Sequence, residues 1–296
     1  MSTRYKSPVA TEDGTRPARR DSKSPRRRTL VLWLGVLACV LSWLAAGCAR
    51  PGGQSGASIT LAGSTSVQPF AEMLAEEYAK EFPDRPAVNV QGGGSSAGAR
   101  AALTGAAQIG MMSRDLAASE NELVPVVMAK DAIVLVVHPS NPVQGLSKEQ
   151  VKDIYSGRIV SWDQVGGHPS PIHVVSREEG SGTRGAFDEL VMEGGVVVPR
   201  AVVQDSNGAV RETVAGDKAG IGYISLGLVD QSVKALSIDG VAPTLENAQE
   251  GKYTLVRPFL LVHKGTLPSD AQHFVDYVTG AEGQSILAGE GLVTVK

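Results

Sequence analysis

The sequence predicts an α/β protein, and three observations carry that prediction. From Ile59 onward short apolar runs alternate with segments of helical periodicity. Glycine is abundant, at 34 of 296 residues, while aromatic residues make up only 5%, which suits many tight turns between strands and helices. The chain has two cysteines, Cys39 and Cys48, both ahead of this region, so a packed core rather than disulfides must hold it.

Taken in order, residues 59–61 read as a strand, followed by the turn Gly63-Ser64-Thr65-Ser66. Val67, Phe70, Ala71, Leu74 and Tyr78 then fall on one face of a helix, with Pro69 in its first turn, where a missing N–H costs nothing. Residues 88–90 form a second strand, and Gly92-Gly93-Gly94-Ser95-Ser96 leads into a helix over 97–103. A third strand over 108–111 ends at Ser113-Arg114-Asp115, and residues 132–137 are the all-apolar run of a buried strand. Ser147 and Gln150 make a capping box for a helix carrying Val151, Ile154 and Tyr155. Beyond it come a strand at 172–175, a Gly-rich polar turn at 176–184 and a helix bearing Phe187, Leu190 and Val191. Ser206-Asn207-Gly208 opens another helix, and residues 221–224 form a strand. A strand over 255–262 is interrupted by Pro258, and a final helix spans about 269–277.

The N-terminal region reads as an export signal. An uncharged run, residues 29–46, follows a segment rich in Arg and Lys and ends in Leu44-Ala45-Ala46-Gly47-Cys48, which resembles a bacterial lipobox with Cys48 as the lipidated residue. A plain transmembrane anchor would not need the small-small-Cys ending. The ten residues that follow have no apolar periodicity and read as a tether with a reach of roughly 18 Å. The first 28 residues hold an excess charge of +6, leaving −9 for the remainder. That balance, without a basic block, excludes a nucleic-acid binder. The five histidines have no spacing expected of a zinc site, and no cofactor is implied.

Three turns share one grammar: a strand, then glycine with hydroxyl residues, then a helix. They are Gly63-Ser64-Thr65-Ser66, Gly94-Ser95-Ser96 and Gly180-Ser181-Gly182-Thr183-Arg184. A helix N-terminus offers unpaired N–H groups and the positive end of the helix dipole, and Ser or Thr adds hydroxyl donors. Singly these are ordinary caps. Together, with Arg114, Arg177 and Arg184 close by in sequence, they point to one convergent oxyanion site. Because the net charge is negative, affinity there must come from local donors and one or two arginine forks. Glu179, two residues after Arg177, is the expected partner of that guanidinium.

These residues, with Arg177-Glu178-Glu179-Gly180-Ser181-Gly182-Thr183-Arg184, Ile154-Tyr155-Ser156-Gly157-Arg158-Ile159 and Gly220-Ile221-Gly222-Tyr223-Ile224, resemble the substrate-binding lipoprotein of the phosphate ABC transporter. The resemblance covers nearly the whole chain after Cys48, in order. It implies a two-lobed periplasmic-binding-protein fold of type II, two α/β lobes joined by two crossing strands near 134–138 and 256–260. Lobe I would be residues 59–135 and 257–296, lobe II residues 136–256, after a signal at 1–48 and a tether at 49–58. Carried over by motif, Ser64, Thr65, Ser66 and Ser95 would donate from one lobe. Arg177, oriented by Glu179, would clamp phosphate with Ser181, Gly182 and Thr183 from the other, with Arg114 in support. Some family members carry an Asp where this chain has Ser113, an acceptor for the proton of hydrogen phosphate that would reject sulfate. Here Ser113, Asp115, Glu178 and Glu179 are the candidate acceptors. The expected product is a monomer, lipid-anchored on the outer face of the cell membrane, that delivers phosphate to an ABC permease and performs no covalent chemistry.

Two rivals remain on the sequence. The site could bind another tetrahedral oxyanion, sulfate or molybdate. Gly94-Ser95-Ser96-Ala97-Gly98 also matches the G-x-S-x-G nucleophile elbow, with Ser96 as nucleophile and His263 or His273 as base. The dinucleotide pattern G-x-G-x-x-A at the same glycines is weaker still, since export argues against an NAD enzyme.

Overall fold

Residues 58–295 are described by the computed structural model. The export segment, Cys48 and residues 49–57 lie outside the described residues. No helix among the described residues is long and apolar enough to cross a membrane.

The elements run β1 (Ile59–Gly63), α1 (Gln68–Glu81), β2 (Val88–Gly92), α2 (Ser95–Thr104), β3 (Ile109–Met112), β4 (Leu123–Val137), β5 (Gly145–Leu146), α3 (Lys148–Ser156) and β6 (His173–Arg177). They continue with α4 (Gly182–Phe187), β7 (Val202–Gln204), α5 (Asn207–Gly216), β8 (Gly220–Ser225), β9 (Lys234–Ala235), β10 (Ser237–Ile238), α6 (Leu245–Gln249), β11 (Val256–Lys264), α7 (Ser269–Thr279) and α8 (Ala281–Gly289). Eight strands follow the order β2-β1-β3-β11-β4-β8-β6-β7, β9 lies beside β4, and β5 pairs with β10 separately. β1 runs parallel to β2 and β3, and β8, β6 and β7 are mutually parallel neighbours. Between these two parallel groups β11 and β4 run antiparallel to their neighbours.

The apolar periodicities bury as their spacing requires. Phe70, Ala71, Leu74 and Tyr78 of α1 pack with Leu61, Ile109, Phe259 and Phe274 in one core. Leu135, Ile154, Tyr155, Trp162, Phe187, Ile221 and Tyr223 form a second. Strand β4 serves both, sending Met128 and Ala129 to the first and Ile133, Leu135 and Val137 to the second. Its partner changes at the same point: it pairs with β11 through Ala132 and with β8 from Ile133 onward. This is the two-lobed type II architecture that the resemblance implied, with β4 and β11 as the crossing strands. On β4 the crossing falls between Ala132 and Ile133, ahead of the expected 134–138, because residues 133–137 already pair with β8 and Ile133, Leu135 and Val137 pack in the second core.

Four elements differ from the sequence expectation. The strand over 132–137 is the second part of a 15-residue strand. Its first part pairs with β11 along one side, and at that edge Pro125 and exposed Val124 are tolerated without a clean alternation. Strand β11 does not break at Pro258 but runs through it, and the register shift falls between Phe259 and Leu260. Helix α7 is not the last: Gly280 ends it and begins α8, whose sequence AEGQSILAG lacks a clear apolar stripe. The helix bearing Phe187 also changes pitch, passing from α4 into a π-helical turn over Asp188–Met192.

Candidate functional site

The parallel strands deliver their C-terminal turns to one place, as open α/β sheets do. At the end of β1, Gly63 has φ 139°, and a Cβ there would lie 2.2 Å from the Met111 carbonyl oxygen, so only glycine lets the chain turn against β3. The turn that follows brings three hydroxyls inward. Ser64 Oγ donates to Ser113 Oγ at 2.9 Å and accepts the Ser66 N–H at 3.2 Å. Ser95, first residue of α2, is fully buried, and its Oγ accepts the Ser113 N–H at 3.0 Å. The Ser95 and Ser113 hydroxyls lie 3.5 Å apart.

From the second lobe, β6 ends on Arg177, and Ser181 caps α4 by accepting the Arg184 N–H at 3.2 Å. Gly182 follows at the start of α4. A Cβ on it would lie 2.1 Å from Ser95 Oγ and 2.5 Å from Ser113 Oγ, so glycine is what allows the two lobes to meet here. Thr183 Oγ1 is 2.8 Å from Ser66 Oγ, and the Ser96 N–H donates to the Gly180 carbonyl at 3.1 Å. The hydroxyls of Ser64, Ser66, Ser95, Ser113 and Thr183 and Gly182 therefore meet, and hydrogen bonds cross between the lobes, whereas the Ser181 hydroxyl caps its own helix.

Arg177 is 1% exposed. Its Nε and Nη2 donate to Glu178 at 2.8 and 3.0 Å, and further bonds reach the Gln204 and Asp205 carbonyls and Thr65 Oγ1, each at 3.2 Å. Its Nη1 is buried with no protein partner. The expected partner Glu179 is a correction: it is exposed, and the adjacent Glu178 holds the guanidinium instead. The reason is local geometry, since Gly180 turns the chain at φ 93° just after Glu179, leaving that side chain in solvent. Asp115 is exposed as well. Of the candidate acceptors, Ser113 faces Ser64 and Ser95, while both Glu178 oxygens are engaged by Arg177.

Arg114 forms a double hydrogen bond to Glu120, at 2.8 Å on each side, and touches Ser96 Oγ at 3.2 Å. Burial pushes the Glu120 carboxyl up, but the Arg114 bonds and the Ala117 N–H outweigh it and hold it below the usual range. Ser96 thus meets an arginine. Among the described residues its supposed bases lie elsewhere, with His273 Nδ1 on the Tyr78 hydroxyl and His263 Nδ1 on the Gly265 carbonyl. No group of three metal-ligating side chains occurs among the described residues.

The sequence reading missed two buried groups. Arg257 on β11 donates to Asp131 on β4 at 2.8 and 3.0 Å and reaches Ser66 Oγ at 3.2 Å and the Ser113 carbonyl at 3.4 Å. Burial pushes the Asp131 carboxyl up and the Arg257 guanidinium down, and each charge opposes the other's shift. Arg177 lies near enough to depress Arg257 further. Asn207, at the start of α5, donates to Ser66 Oγ at 2.8 Å. The Ser206 cap of α5 was the available signal for a fourth turn of the same grammar. For Arg257, within an ordinary-looking strand, there was none.

A donor-lined site between two α/β lobes, joined by crossing strands, defines the class of periplasmic binding proteins. Comparison with known proteins gives the branch. A family model described as a PBP superfamily domain matches residues 49–282. The chain is 33% identical over 246 residues to the phosphate-binding protein PstS of Bacillus subtilis, covering 80% of this chain and 81% of that one. Its fold superposes on a phosphate ABC transporter substrate-binding protein with bound phosphate from Clostridium perfringens, with TM-score 0.79 and 42% identity over 81% of this chain and all of that one. An ABC-type phosphate transport receptor from Vibrio cholerae follows at TM-score 0.68 and 37% identity, over 80% of this chain and all of that one. The chain belongs to the PstS family of the PBP superfamily.

Proposed function

We propose that this protein captures inorganic phosphate between its lobes and delivers it to an ABC-type permease, without covalent chemistry. One observation carries the reading: a buried guanidinium nitrogen, Arg177 Nη1, has no protein partner, while Nη2 of the same group donates to Thr65 Oγ1 in a cluster of hydroxyls that three turns supply through Ser64 and Ser66, Ser95 and Thr183. A tetrahedral oxyanion suits that arrangement, since arginine forks and hydroxyls are donors that match its oxygens. In this reading Ser64, Thr65, Ser66, Ser95 and Ser113 serve from the first lobe, and Arg177, Ser181, Gly182 and Thr183 from the second. Glu178 orients the guanidinium. Relatives named for phosphate binding and transport favour phosphate over sulfate or molybdate. Closure is a population shift toward the state in which the ligand makes its bonds, and the permease reads that shape. We place the protein outside the cytoplasm as a monomer held to the membrane by lipid on Cys48.

The test is calorimetry on the full-length chain in detergent, titrated with phosphate and then sulfate. Tight phosphate binding that sulfate does not match is expected. Binding of sulfate with none of phosphate would overturn the reading.

A further inference from the structure

Five residues behind the hydroxyl turns close a ring, four of them by side chains alone and Ser225 by its hydroxyl and its backbone N–H. Arg257 donates from Nε and Nη2 to Asp131 Oδ2, and Asp131 Oδ1 accepts the Ser225 hydroxyl at 2.8 Å. The Ser225 N–H donates to Asn207 Oδ1 at 3.2 Å, Asn207 Nδ2 donates to Ser66 Oγ at 2.8 Å, and Arg257 Nη2 returns to the same oxygen at 3.2 Å. All five residues are at most 2% exposed. They come from both crossing strands, the end of β8, the start of α5 and the turn after β1, so the ring joins both lobes to the hinge.

The ring leaves the Ser66 hydroxyl no choice of direction. The Ser225 N–H is an obligate donor, so it fixes the carbonyl side of the Asn207 amide and aims Nδ2 at Ser66. Arg257 is likewise a donor only. A hydroxyl has two lone pairs and one proton. With both lone pairs taken, what remains is the proton, directed at Thr183 Oγ1. An arriving oxyanion oxygen would compete for that proton.

We propose that Arg257 is a positioning residue for anion capture: held by Asp131, it acts through Ser66, locking that hydroxyl as a donor that cannot accept a proton. This rests on the phosphate reading above. Its charge is balanced by Asp131 within the ring, so its influence is directional rather than a general attraction for anions.

A double-mutant cycle separates this role from a merely structural one. Phosphate affinity is measured by calorimetry on the full-length chain in detergent for the wild type, Ser66→Ala, Arg257→Lys and the double variant. If Arg257 acts through Ser66, Arg257→Lys weakens binding about tenfold alone but less than about twofold when Ser66 is already Ala. Equal losses in both backgrounds overturn the proposal. Should Arg257→Lys fail to fold, Asn207→Ala against Ser66→Ala gives the same cycle, because Asn207 fills the other lone pair. A wild-type chain that binds no phosphate would instead overturn the functional reading itself.

Discussion

Two buried arginines sit at the centre of this molecule and are built for different work. Arg177 lies at a strand end, its partner Glu178 is the next residue, and one of its nitrogens remains without a protein partner. Arg257 lies within a crossing strand, and its Nε, Nη1 and Nη2 all donate to protein atoms. Their carboxylates differ just as sharply: the Glu178 side chain is 28% exposed, while that of Asp131 is wholly buried. A guanidinium with a free edge and a hydrated counter-ion can take a ligand. One enclosed with its counter-ion holds the surrounding geometry in place.

The comparison predicts opposite phenotypes for the same substitution. Arg257→Ala leaves the Asp131 charge buried without compensation, and breaking such a pair costs about 3–5 kcal/mol. A loss of that size in chemical denaturation is expected; a change under about 1 kcal/mol would mean that Asp131 sheds its charge by taking up a proton or that water reaches it. Arg177→Ala leaves a carboxylate that solvent can still hydrate, so the stability loss should be the smaller of the two. Its phosphate affinity should fall at least about tenfold, consistent with a charged hydrogen bond of about 1.5–3 kcal/mol. Unchanged affinity in calorimetry would remove Arg177 from the site and erase the contrast.

The same two residues show what could be read from the chain. Arg177 was visible because its surroundings are local: a strand end, a Gly-Ser-Gly-Thr turn and an acidic neighbour within three residues. The hydroxyl turns were visible for that reason, as were the buried faces of α1 and the capping box of α3. Arg257 was not, because its partner is 126 residues away and the pairing exists only once β4 and β11 lie side by side. Asn207 belongs between these cases. Its helix cap was legible, but its contact with Ser66 spans 141 residues and needs both lobes in place. The first part of β4 was hidden for a related reason: an edge that pairs along one side tolerates Pro125 and need not alternate.

Glu178 against Glu179 is the finest form of the contrast, since spacing alone pointed to the wrong one. In Glu178→Gln one acceptor oxygen becomes an amide donor facing the Arg177 donors, so the guanidinium loses a bond and its fixed tilt. Removing the negative charge acts in the opposite sense, leaving the site more attractive to an anion. The orientation effect should win, because Glu178 is partly exposed and its charge is screened by water, whereas the bond constrains a nearly fully buried group. Phosphate affinity should therefore fall about two- to tenfold for Glu178→Gln, the range of one ordinary hydrogen bond. Glu179→Gln, in solvent, should leave it unchanged. A rise in affinity for Glu178→Gln would show that charge outweighs alignment, and a loss confined to Glu179→Gln would restore the partner that spacing suggested.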